Sequence, residues 1–89
     1  MLDLYFEGRF KKDLKLAKKR HLHLDKLWAV VEQLQTGKAL TAKHRPHKLK
    51  GEWDSFHECH IDPDWLLIYL ATDSRLILVR TGTHSDLFG

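Results

Sequence analysis

His47, His60 and His84 recur along the second half of this chain, accompanied by the acids Glu58 and Asp64, then Arg80 and Phe88. Histidine titrates near neutrality and serves as general acid or general base. Arginine offers a fixed fork of donors to phosphate oxygens. Aromatic rings such as Phe88 and Trp65 can stack an unpaired base, worth ~1–3 kcal/mol. Such a set fits cleavage of RNA by its own 2′-hydroxyl. That reaction needs a base at the 2′-hydroxyl, an acid at the leaving 5′-oxygen, and a cation for the charge gathering on phosphorus. It requires no metal and no cofactor. The sequence has no carboxylate cluster suited to two Mg²⁺ ions, and His44, His47 and His60 lack a diagnostic ligand spacing. Other readings of single residues stand beside this one. Arg80 can pair with Glu58 across strands, Trp65 can be core, His57 can be structural, and Cys59 reads as a small buried residue.

These residues must be gathered by the fold. Residues 2–6 alternate loosely and predict a first strand, ended by Gly8. From residue 9 to about 20 the period becomes helical, with Phe10, Leu14 and Ala17 on one stripe. Lys11, Lys12, Lys15, Lys18 and Lys19 fall within an arc of roughly 120° on another face at 100° per residue. Asp25 is the expected cap of a second helix to about Thr36, with Leu24, Leu27, Trp28, Val31 and Leu34 facing inward. Trp28 is expected in the core. Gly37 suits the position just past the helix end. Residues 37–54 carry neither period. This long basic loop holds His47, Lys48 and Lys50, and Leu49 and Trp53 are its expected anchors.

Three strands follow. Residues 55–61 alternate, with Glu58 and His60 on one face and His57, Cys59 and Ile61 on the other. Asp62-Pro63-Asp64 is a turn. Trp65 to Ala71 is a nearly continuous apolar run, hence a central strand covered on both faces. Residues 75–81 form the last strand, and Thr83 with Asp86 reads as a capping box opening a final helical turn. The expected architecture is α+β, in the order β-α-α-β-β-β plus a terminal turn. Two helices pack on one face of a small, largely antiparallel sheet. Consecutive hairpins then bring His60, Asp64 and Arg80 into one patch on the other face, with His84 beside them.

The 89 residues form one domain, 1–89, with 43% hydrophobic and 30% charged residues. That composition excludes a disordered tail or a collagen-like chain. The longest apolar run has seven residues, so no membrane-spanning helix is expected. No signal peptide is visible, and one cysteine permits no internal disulfide, so a cytoplasmic protein is expected. The net charge of +3 is unevenly spread. Residues 1–50 carry a balance of +8 and residues 51–89 a balance of −5. A basic half suggests an anionic partner, nucleic acid above all.

Four stretches carry a family resemblance: Phe10 to Ala17, His47 to Trp53, His60 to Tyr69, and Arg80 to Phe88. The last, Arg-Thr-Gly-Thr-His followed by Leu-Phe, is the most specific. Through them the chain resembles the YafQ-type toxins of the RelE superfamily, the mRNA interferases of bacterial type II toxin–antitoxin systems. The resemblance implies a microbial-RNase-like fold and endonucleolytic cleavage of mRNA on the translating ribosome, which inhibits translation and growth. Its catalytic positions fall on His47, His60, Asp64, Arg80, His84 and Phe88. Glu58, Trp65, Lys48 and Lys50 are expected to meet substrate. In the roles this suggests, His60 takes the 2′-hydroxyl proton with Asp64 assisting, His84 protonates the leaving oxygen, and Arg80, helped by His47, steadies the phosphorane. Lys11, Lys12, Lys15, Lys18 and Lys19 then face ribosomal RNA. The further partner implied is a cognate antitoxin whose complex with the toxin binds operator DNA. The alternative is a non-catalytic basic module that binds RNA or DNA.

Overall fold

A computed structural model describes residues 1–89. The chain runs through β1 (Asp3–Phe6), α1 (Gly8–Lys19), α2 (Leu24–Gln35), β2 (His47–Lys48), β3 (His57–Asp62), β4 (Trp65–Ala71), β5 (Arg75–Gly82) and α3 (His84–Phe88). Two 3-10 turns, Ala42–His44 and Gly51–Trp53, flank β2. The five strands form one sheet in the order β1-β5-β4-β3-β2. β2, β3, β4 and β5 pair antiparallel in turn, and β1 joins β5 in parallel. The α+β architecture read from the sequence is the one found. β4 is central, and Trp65 through Tyr69 are all buried.

Alternation along the strands divides the core in two. On the helix side, Cys59, Ile61, Trp65, Leu67, Tyr69, Leu76 and Leu78 pack with Phe10 of α1 and with Leu27, Val30 and Val31 of α2. On the other face Leu66, Ile68 and Leu87 form a smaller cluster, flanked by Leu49, Trp53, Phe56 and Val79. Leu49 and Trp53 are thus the anchors of the long loop. Burial drives the Cys59 thiol up to about 12, so this cysteine is a packing residue, not a nucleophile.

Several expectations need correction. The stretch 37–54 is not structureless, since β2 lies inside it. Its pairing is two residues long, His47 with Glu58 and Lys48 with His57, too short to leave a period in the sequence. Pro46, which has no N–H to donate, and Arg45, at φ +44°, end that strand. Past them the outer edge of β3 is met by a side chain, with His44 Nδ1 2.8 Å from the His60 carbonyl oxygen. Asp25 does not cap α2. The helix starts two residues earlier than such a cap requires, at Leu24, with Asp25 in its first turn and His23 as cap residue without a side-chain bond. Trp28 lies outside the core, partly exposed and leaning on Phe6 at 5.8 Å between ring centroids.

Both helices close in the same way. After α1, Leu22 N–H donates to Ala17 O and His21 N–H to Lys18 O; after α2, Lys38 N–H donates to Gln33 O and Gly37 N–H to Leu34 O. The residue at the left-handed position is His21 in the first case and Gly37 in the second. Leu67, wholly buried at the centre of β4, tests the core. Leu67→Ala is expected to lower unfolding stability by about 2–5 kcal/mol, read from the urea midpoint.

Candidate active site

The face of the sheet away from the helices carries the polar cluster. Antiparallel partners share a face, and two rows cross the sheet. Glu58 stands opposite Ile68, which stands opposite Arg80; His60 stands opposite Leu66, which stands opposite Gly82. β2 adds His47 opposite Glu58. The hairpin between β3 and β4 places Asp64 at its tip, and α3 begins at His84 beside it.

Within this face two carboxylates organise three imidazoles. Asp64 Oδ1 accepts both the backbone N–H of His84, at 2.9 Å, and the His84 Nδ1, at 2.6 Å. These bonds hold the Asp64 carboxyl below the usual aspartate range, the backbone bond most, so it is ionised at neutral pH. An ionised carboxylate only accepts, so Nδ1 carries the hydrogen toward Asp64 and Nε2 is left to face a ligand. Glu58 is 4% exposed. Its Oε1 lies 3.3 Å from His47 Nε2 and 3.6 Å from His60 Nε2. The His60 and His84 rings meet edge to face, with centroids 5.6 Å apart. His60 is buried, and its Nδ1 has no hydrogen-bond partner.

α3 is held in place by its own cap. Thr83 Oγ1 accepts from Asp86 N–H, and Asp86 Oδ2 accepts from Thr83 N–H, each at 3.0 Å. Arg20, just past α1, donates from Nη1 and Nη2 to the two Asp86 oxygens. The Arg20 guanidinium, with the Thr83 N–H second, holds the Asp86 carboxyl well below the usual range. Gly82 makes room for this arrangement, because a Cβ there would lie 2.9 Å from Asp86 Oδ2. Phe88 is 46% exposed and meets Trp53 edge-on at 6.3 Å.

The structure thus gathers His47, Glu58, His60, Asp64 and His84, with Phe88 one helical turn beyond His84. Lys48 and Lys50 are exposed on the segment leading away from His47. Lys11, Lys12, Lys15, Lys18 and Lys19 are all exposed on α1. Trp65 departs from expectation. It is 3% exposed on the helix side, and its Nε1 donates to Thr81 Oγ1 at 2.9 Å, so it offers no ring face to a base. The strand register turns it inward with Leu67 and Tyr69. Asp64 serves His84 rather than assisting His60; the carboxylate beside His60 is Glu58. Glu58, expected to meet substrate, is enclosed beside the His47 and His60 imidazoles with little exposed surface. Arg80 does not pair with Glu58. Its Nε and Nη2 donate to Asp13 of α1, at 2.7 and 3.1 Å.

Sequence reasoning missed both acids that grip arginines from or toward α1. Asp13 falls between Phe10, Leu14 and Ala17 on the buried stripe of a lysine-rich helix, and an acid there signals an inward cation. Asp86 announces itself in the sequence only as part of a cap.

A small sheet is thus braced on one face by two helices and carries an oriented histidine cluster on the other. The family model described as the bacterial toxin of type II toxin–antitoxin system, YafQ, matches residues 2–89, and the chain belongs to this family. It is 41% identical over 88 residues to the mRNA interferase toxin YafQ of Escherichia coli strain K12, covering 98% of this chain and 96% of that one. The crystal structure of YafQ from E. coli BL21(DE3) superimposes with a TM-score of 0.94 at 40% identity, covering both chains fully. YafQ in the E. coli DinJ–YafQ toxin–antitoxin complex superimposes with a TM-score of 0.92 at 42% identity, covering 99% of this chain and 98% of that one.

The lowered Asp64 and Asp86 carboxyls fix the direction of an acid response. A carboxyl whose native pKa is depressed stabilises the fold above its unfolded value and ceases to do so as pH falls through the native one. The melting temperature is therefore expected to hold above the ordinary aspartate value of about 3.9 and to fall below it. Asp86→Asn is expected to melt lower at pH 7 and to lose less on acidification. Melting curves from pH 2 to 7 check this.

Proposed function

We propose that the protein is an mRNA interferase: a ribosome-dependent endoribonuclease that cleaves mRNA by metal-independent attack of the 2′-hydroxyl. One observation carries this reading, the Asp64-oriented His84 facing His60 at 5.6 Å. Two imidazoles at that spacing can address the 2′- and 5′-oxygens on one phosphorus. His60 accepts the 2′-hydroxyl proton with Glu58 beside it, the 2′-oxygen bonds to phosphorus, and the bond from phosphorus to the 5′-oxygen breaks. His84 gives the departing oxygen its proton from Nε2. The products are a 2′,3′-cyclic phosphate and a 5′-hydroxyl. Arg80 brings the fixed positive charge that the phosphorane requires, with His47 on the far side. Phe88 offers the exposed ring on which a base stacks, steadied by Trp53.

The remaining basic residues hold the ribonucleoprotein. Lys48 and Lys50 follow His47 and meet the mRNA backbone. Lys11, Lys12, Lys15, Lys18 and Lys19 meet ribosomal RNA, a contact that weakens with salt. The family and the DinJ-bound relative support a cognate antitoxin as partner; in this reading the antitoxin blocks this face and the complex binds operator DNA. The substrate places the toxin in the cytoplasm, and no helix is long and apolar enough to cross a membrane.

Ribosome-programmed cleavage tests the chemistry. His84→Ala and His60→Ala are each expected to slow cleavage by about 10²-fold or more, with ribosome binding retained. Undiminished cleavage by His84→Ala removes it as the acid. Induction in bacteria is expected to arrest growth, and His84→Ala to relieve the arrest. A protein that binds RNA without cleaving it would show neither effect. Reversing the charge of Lys11, Lys12, Lys15 and Lys18 together is expected to abolish co-sedimentation with ribosomes at moderate salt and to leave the melting temperature unchanged.

A further inference from the structure

α1 has two faces of opposite character. Its five lysines point outward. Asp13, the only acid between residues 8 and 20, sits on the inner side beside Phe10 and Ala17. The Asp13 side chain is 12% exposed and that of Arg80 11%. Asp13 takes three donors, all from β5: Arg80 Nε at 2.7 Å, Arg80 Nη2 at 3.1 Å, and the Thr81 backbone N–H at 3.1 Å.

Topology explains why an acid is needed there. β1 pairs with β5 only as far as Phe6 opposite Leu78. Glu7 N–H then donates to Leu78 O at 3.0 Å, and the chain turns into α1. Beyond this point β5 has lost its neighbouring strand. Asp13 supplies the acceptor that Thr81 N–H would otherwise lack, and the same carboxylate seizes Arg80.

A partly buried ion pair is a weak stability device, since apolar residues of the same shape do as well. What the pair adds is direction. A bidentate contact fixes the plane of the guanidinium. It occupies Nε and Nη2 and leaves Nη1 without a protein partner. Arg80 also has rival acids nearby. It stands in the same cross-sheet row as Glu58, and Asp86 acts on it through space. A long, untethered arginine would be free to pair with these acids instead, and would pull on the cap of α3 or on the neighbour of His60.

We propose that Asp13 is a positioning residue for RNA cleavage: it fixes Arg80 with Nη1 left to meet the scissile phosphate, which makes the lysine-bearing helix part of the reaction site. This rests on the reading above that Arg80 acts on phosphate. The helix that docks on ribosomal RNA is then the same rigid body that aims the phosphate-binding cation.

A double-mutant cycle decides it, using the full-length protein, programmed ribosomes and single-turnover cleavage at saturating ribosome. Asp13→Asn keeps the shape but loses the charge and one acceptor. It is expected to slow cleavage about tenfold or more with ribosome binding unchanged. On an Arg80→Ala background the same substitution is expected to cost nothing further. Asp13→Glu, which keeps the carboxylate on a longer arm, is expected to recover part of the rate, and it replaces Asp13→Asn in the cycle if that variant does not fold. Wild-type cleavage by Asp13→Asn overturns the proposal. So does an equal loss with and without Arg80, which marks Asp13 as structural only. Wild-type cleavage by Arg80→Ala instead overturns the reading of Arg80 itself.

Discussion

A helix of five residues has no stability of its own, yet α3 must hold His84 and Phe88 in fixed places. Everything around it supplies what the helix lacks. Asp86 closes the capping box with Thr83 and takes the Arg20 fork, while Asp64 accepts the first N–H of the helix and its imidazole. Leu87 drives into the cluster of Leu66 and Ile68. These contacts reach α3 from the end of α1, from the β3–β4 hairpin and from β4. The position of His84 is therefore a property of the whole domain.

The two faces of the sheet divide the labour. The helix side buries most of the apolar area and supplies rigidity. The other side keeps a small apolar patch under Trp53 and Phe56 and leaves its remaining area to polar groups. Glu58 is the point where the two demands meet. It is a buried acid on the polar face, and the imidazoles of His47 and His60 are its neighbours. A carboxylate there costs stability unless charge or hydrogen bonds compensate it. The site thus draws on stability stored on the opposite face.

Much of this was legible in the sequence because it follows from period and punctuation. The stripe of Phe10, Leu14 and Ala17, the apolar run through β4, the Asp-Pro-Asp turn and the alternation of β3 each announce themselves locally. So do the residues of the histidine cluster, since turns and strand ends place them. What escaped was set by register and reach. β2 is two residues long. Trp65 faces the helices because it alternates in step with Leu67 and Tyr69 along β4. Arg80 finds Asp13, 67 positions away along the chain, and nothing local foretells so distant a partner. The acid beside each histidine depends on the same geometry, so the carboxylate near His60 is Glu58, and Asp64 bonds His84 instead.

The parallel pairing of β1 with β5 has a consequence in time. Asp3–Phe6 is made first, but its neighbour Arg75–Gly82 comes late, and α3 follows later still. Contacts between such distant segments bear the largest loop-closure cost and form slowly. While the chain is still being synthesised, the first strand has an unpaired edge and the site lacks both His84 and the residue that orders it. An mRNA interferase of this topology is thus unfinished for nearly the whole of its own translation. The topology postpones its activity until the sheet has closed.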